Sequence, residues 1–167
     1  LNGDGYDDVI IGAPGYNNDP GRAYIYYGSS SMNNVADIIM SDGYANSNFG
    51  SAVSSAGDVN GDGYKDVIIG AYNYNNNTGR AYIYYGNVAM NNVADVTMTG
   101  ENADDSFGAA VSSAGDVNGD GHDDIIVGAQ NYNNYKGRSY IFFGSSVMNN
   151  VADLIMDGEL DDSFGNA

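Results

Sequence analysis

The chain contains no cysteine, so disulfides contribute nothing and its redox compartment cannot be read from thiols. Basic residues are almost as scarce. Five Lys and Arg stand against 22 Asp and Glu in 167 residues, a formal net charge of −17. That imbalance argues against nucleic acid or anionic membrane as partners, because almost nothing could neutralise phosphate. No apolar stretch approaches the length of a membrane span, so membrane insertion is not expected. No leader peptide is present, but the chain begins inside a motif, so an upstream segment is not excluded. Catalytic groups are missing too. There is one histidine, no Ser-His-acid arrangement around it, no phosphate-binding glycine loop and no transition-metal cluster, and the chain is read as non-enzymatic.

What the chain does have is repetition. The run Asp58-Val59-Asn60-Gly61-Asp62-Gly63-Tyr64-Lys65-Asp66 returns from Asp116 to Asp124, and without its first residue from Leu1 to Asp8. Asn2, Asn60 and Asn118 stand 58 residues apart, so one structural unit is repeated along the chain. Oxygen donors at alternating positions, with glycines that let the backbone turn, are what a hard cation such as Ca²⁺ requires. Asp58, Asn60 and Asp62 would donate side-chain oxygens, Tyr64 its carbonyl, and Asp66 one or two carboxylate oxygens. Asp116, Asn118, Asp120, His122 and Asp124 repeat the set, and Asn2, Asp4, Tyr6 and Asp8 form an incomplete first copy. Up to three Ca²⁺ ions are expected, one per loop, since three carboxylates within nine residues repel one another without a cation. A plain Asx-rich turn without metal is the alternative.

Each unit reads as four strands. The first is Phe49 to Gly57. The second, Asp66 to Ala71, matches Asp8 to Ala13 and Asp124 to Ala129, and is apolar without alternation, as for a strand covered on both faces. The third, Gly79 to Gly86, matches Gly21 to Gly28 and Gly137 to Gly144, and is dense in β-branched and aromatic residues. The fourth, Ala94 to Met98, matches Ala36 to Met40 and Ala152 to Met156. No segment keeps a helical period. The fold class is all-β, and four strands per unit at this spacing is the cue for a β-propeller.

Phe49-Gly50, the cation loop and Ile69-Gly70-Ala71, repeated by Phe107-Gly108 and Gly128-Ala129, resemble the FG-GAP repeat of integrin α-subunit propellers and related bacterial proteins. Gly12-Ala13-Pro14 and Phe164-Gly165 fit the same pattern at the two ends. The resemblance implies blades whose cation loops join first and second strands on one face of a disc, with ligand-contacting loops on the opposite face. The repeats run approximately 1–48, 49–106 and 107–163, with 164–167 starting a further strand. About three blades fall short of the 4–8 that close a ring. The chain is therefore expected to be part of a larger array or to close by self-association.

The resemblance and the cation loops together point to a calcium-binding module for extracellular or cell-surface adhesion or recognition, with an unknown protein or carbohydrate ligand. The alternative is a scaffold or accessory propeller of a secreted hydrolase or lyase. A dockerin-like reading is disfavoured, because a strand and not an amphipathic helix follows each loop. The segments Tyr16-Asn17-Asn18, Tyr74-Asn75-Asn76 and Tyr132-Asn133-Asn134, with the acidic stretches Glu101 to Asp105 and Glu159 to Asp162, are expected opposite the metals. Tyr and Asn give rigid contact area and adaptable hydrogen bonds, although Asn-rich turns are also simply good turns. His122 is expected to turn its ring to solvent. Arg22, Arg80 and Arg138 are expected in structural ion pairs or at strand edges, and Met32, Met90 and Met148 between blades.

Overall fold

A computed structural model of the chain describes residues 1–15, 20–159 and 162–166. Eleven strands fall into three antiparallel sheets among these residues. The first sheet has the order β1-β2-β3, from Val9–Ala13, Arg22–Tyr26 and Ile38–Met40. The second has β4-β5-β6-β7, from Ala52–Gly57, Asp66–Ala71, Arg80–Tyr84 and Val96–Thr99. The third has β8-β9-β10-β11, from Phe107–Gly115, Asp124–Ala129, Arg138–Phe142 and Leu154–Asp157. These are propeller blades of the expected all-β class.

The blades stack, and their cores lie between them. Along β5 the side chains alternate in direction, as a pleated strand requires. Val67 and Ile69 join Ile25, Met40 and Phe49 in the core between the first two blades. Ile68 joins Ile83, Phe107, Ile125 and Val127 in the core between the second and third. This is why the strand is apolar throughout. Met90 and Met148 are buried in the two cores, as expected of packing residues, whereas Met32 is exposed.

The Phe-Gly and Gly-Ala motifs prove to be two halves of one crossing. Phe49, Phe107 and Phe164 each bridge in parallel to a glycine of the preceding blade, namely Gly21, Gly79 and Gly137. The chain then steps across into its own blade, where the Gly50 amide donates to the Gly70 carbonyl at 2.9 Å. At the step, Gly108 has φ +82 and its carbonyl lies directly against Gly70; a Cβ at Gly70 would fall on it. The pairs Gly50 with Gly12 and Gly165 with Gly128 repeat the contact. In the second repeat regular strand pairing begins after this step, so β4 starts at Ala52 and not at the expected Phe49. The third strand is shorter than expected, Arg80–Tyr84, losing one residue at its start and two at its end, and the fourth, Val96–Thr99, starts two residues later and ends one later, because the residues flanking them lie outside the ladder.

The two ends of the stack differ from its middle. Val67 is 2% exposed but its equivalent Val9 is 42% exposed, because no blade covers the outer face of β1 among the described residues. Val59 is fully buried and Val117 is 51% exposed for the matching reason at the other end.

Gly70→Ala is expected to destabilise by about 1–3 kcal/mol, since the methyl group must displace backbone. That corresponds to a fall in Tm of roughly 3–10 °C. Gly15→Ala, in open space, is the control and should leave Tm unchanged. Circular dichroism melting of both variants checks the crossing, and equal melting temperatures would contradict it.

Candidate metal centre

The three motif copies form the loops that lead into β1, β5 and β9, so each repeats the same position at the same end of its blade. Their internal geometry repeats as well. In the second loop, the Asp58 carboxylate accepts the amides of Asp62 at 3.0 Å and Gly63 at 2.8 Å. The Asn60 side-chain oxygen accepts the Asp62 amide at 3.0 Å, and its Nδ2 donates to Asp62 Oδ2 at 3.0 Å. Asp62 Oδ1 accepts the Tyr64 amide at 2.9 Å. Asp116, Asn118, Asp120 and His122 form the same chain in the third loop. Asn2, Asp4 and Tyr6 form its remaining part in the first. These amide bonds hold the Asp4 and Asp120 carboxyls below the usual range.

The ninth-position aspartates are placed differently. Asp66 is fully buried, and its two oxygens accept the amides of Val59 at 2.9 Å and Gly86 at 2.8 Å. Asp124 does the same for Val117 and Gly144, and Asp8 for Asn2 and Gly28. Each therefore buckles its loop to the turn after the third strand of its own blade. Burial pushes the Asp66 carboxyl up to about 7. The two amide bonds oppose that rise, while the nearby Asp62 and Asp58 carboxylates add to it.

Every side-chain donor in the loops is an oxygen, and each buckling oxygen retains a second lone pair. The donor chemistry fits a hard cation. Among the described residues, no three His, Cys, Asp or Glu side chains are gathered so as to hold an ion. The donor set includes the amide oxygens of Asn2, Asn60 and Asn118 and the main-chain carbonyls at Tyr6, Tyr64 and His122, beside the carboxylates.

Adjacent loops also touch. The His122 ring is not turned to solvent as expected; it lies against Gly61 of the preceding loop, with its side chain 27% exposed. Tyr64 lies against Gly3 in the same manner. The eighth loop position, which the motif leaves open, carries a further link: Asp123 Oδ2 accepts the Asp58 amide at 2.9 Å, and the Asp123 amide donates to the Asp58 carbonyl at 3.1 Å. Sequence reasoning passed over it because the equivalent residue of the second loop is Lys65.

On the opposite face, Asn77, Asn102, Asp104, Asp105 and residues 131–135 line a cavity of about 770 Å³. Asn75, Asn76 and Asn77, and Asn133, Asn134 and Tyr135, all have positive φ, forming short left-handed turns. Asn tolerates that region better than most residues, which accounts for the Asn-rich sequence on turn grounds. Glu101 is drawn away from the cavity by Arg138, at 3.0 Å, and by the Tyr140 hydroxyl. Arg138 also pairs with Asp157 and lies over the Tyr132 ring at 3.7 Å. Arg80 donates to Thr99 across the β6–β7 pair and lies over Tyr74 at 3.7 Å. Arg138 has the ion pair expected of it, whereas Arg80, on an inner strand, is held by a hydrogen bond and a ring contact. Tyr16-Asn17-Asn18 and Leu160-Asp161 lie outside the described residues.

A family model described as FG-GAP repeat matches residues 1–26, 49–84 and 107–142, more than half of the chain. No curated protein matches it significantly.

Removing the Asp66 buckle leaves two amides without an acceptor. Asp66→Ala is expected to cost about 2–4 kcal/mol in denaturant unfolding with chelator present. Asp66→Asn, which keeps one acceptor oxygen, should cost less. Equal stability of Asp66→Ala and the parent would show that the buckle carries no weight.

Proposed function

As the chain belongs to the FG-GAP repeat family, we propose that it is a calcium-binding, integrin-like β-propeller module for extracellular adhesion or recognition, without catalysis of its own. The observation that carries the cation reading is the repeated geometry of the loops, in which carboxylate and amide oxygens at alternating positions are fixed by the same main-chain amides. A divalent ion among these groups supplies the positive charge that removes their mutual repulsion. Asp58, Asn60, Asp62 and Asp66, with the Tyr64 carbonyl, would hold it in the second loop. Asp116, Asn118, Asp120, His122 and Asp124 would do so in the third, and Asn2, Asp4, Tyr6 and Asp8 in the first. Loops filled by millimolar Ca²⁺ suit an extracellular setting. No helix among the described residues is long and apolar enough to cross a membrane.

The face away from the loops supports recognition. Its cavity offers amides, carboxylates and the Tyr132 and Tyr135 rings, a surface suited to a protein or carbohydrate ligand. The outer faces of the stack support self-association. Val9 and Ile11 at one end, and Leu154, Met156 and Phe164 at the other, are exposed where their repeat equivalents are buried by a neighbouring blade. In the isolated chain a second copy is the occupant, and two chains placed head to tail would give a six-bladed ring.

Metal removal tests the first reading. A cation bound to the native state alone stabilises it by RT ln(1 + [L]/Kd), so chelator should lower Tm and added Ca²⁺ restore it. With Ca²⁺ at about 100 times Kd, each filled loop contributes about 2.7 kcal/mol. A melting curve indifferent to chelator would overturn it. Light scattering tests the second: a species of twice the chain mass is expected, and a folded monomer contradicts the ring.

A further inference from the structure

We propose that Asp123 is a positioning residue for the second cation loop, and that through it the second loop's affinity depends on the third loop being filled. The inference rests on the calcium reading above. Asp58 leads the second loop, and its carboxylate closes that loop onto the Asp62 and Gly63 amides. The peptide groups on both sides of Asp58 are held from outside its repeat. Asp123 accepts the Asp58 N–H with its carboxylate and donates its own N–H to the Asp58 carbonyl, across 65 positions of sequence. The main-chain position of the leading ligand is thereby set by the third loop.

Asp123 stands immediately before Asp124, which buckles the third loop to its own blade. Successive side chains at the start of a strand point to opposite sides, so fixing Asp124 inward fixes Asp123 toward Asp58. His122, whose amide is held by Asp120 and whose ring rests on Gly61, adds a second contact between the same two loops. Both contacts are formed in the structure, and an ion drawing Asp116, Asp120 and Asp124 together would hold them more tightly. A loop whose ligands are already positioned loses less entropy when it binds. The device is specific to this pair of loops. Lys65 occupies the equivalent position in the second loop, and an ammonium group cannot accept an N–H.

The test uses the full chain with Asp4→Ala throughout, which silences the first loop. Ca²⁺ binding is followed by calorimetry. Tb³⁺ luminescence excited through tyrosine reports the second loop preferentially, since Tyr64 there stands where the third loop has His122. Adding Asp120→Ala is expected to weaken the second loop's affinity about 5- to 10-fold. In an Asp123→Ala background the same substitution should have no further effect, and Asp123→Asn, which keeps an acceptor oxygen, should restore the coupling. Circular dichroism establishes that each variant is folded, and Asp123→Lys replaces Asp123→Ala if the latter is not. Second-loop affinity unchanged by Asp120→Ala, or weakened equally with and without Asp123, overturns the inference while leaving the calcium reading intact. An Asp4→Ala chain that binds neither ion overturns both.

Discussion

The structure depends on one close approach of backbone to backbone. Where Gly108 steps from the second blade into the third, its carbonyl lies against Gly70, and no side chain larger than hydrogen fits between. Phe107, one residue earlier, fills the core that the step creates. The glycines bring the blades together and the phenylalanine makes that proximity favourable by removing a large apolar ring from water. Both flanking ladders take their start from this point. The placement of the cation loops follows, because each loop hangs between the first and second strands that the crossing sets.

The second constraint is a buried charge. Asp66 accepts the amides of Val59 and Gly86, yet its burial works against ionisation. Position nine of the motif thus serves the fold directly, whether or not it also faces the proposed ion. A carboxylate in this position cannot be read as a ligand alone, since it is also the acceptor that joins the loop to the turn at Gly86.

Much of the fold was legible because repetition made the same signal appear three times. The apolar run of β5 announced a strand covered on both faces, and the two cores that share it bear that reading out. The Phe-Gly and Gly-Ala motifs marked the unit, although composition alone does not reveal that one blade's glycine meets the next blade's. The loops were legible as oxygen-rich turns. The links between loops were not, because they arise at positions where the copies differ. Lys65 and Asp123 break the pattern, and Tyr64 and His122 are dissimilar in chemistry while alike in lying on a glycine. The Asn-rich turns carried an ambiguity that their backbone resolves toward geometry, since three successive left-handed residues favour Asn whatever the surface binds.

Among the described residues the middle blade alone has both faces covered, and the same crossing serves on either side of it. A boundary that repeats in this way makes the unit interchangeable. A duplication or deletion of one whole 58-residue period, wherever its cut falls, rejoins the chain at a junction it already possesses. Length can then change in whole blades without a new core having to be invented. Any insertion that is not a whole period must be confined to a loop, away from Gly70 and Gly108.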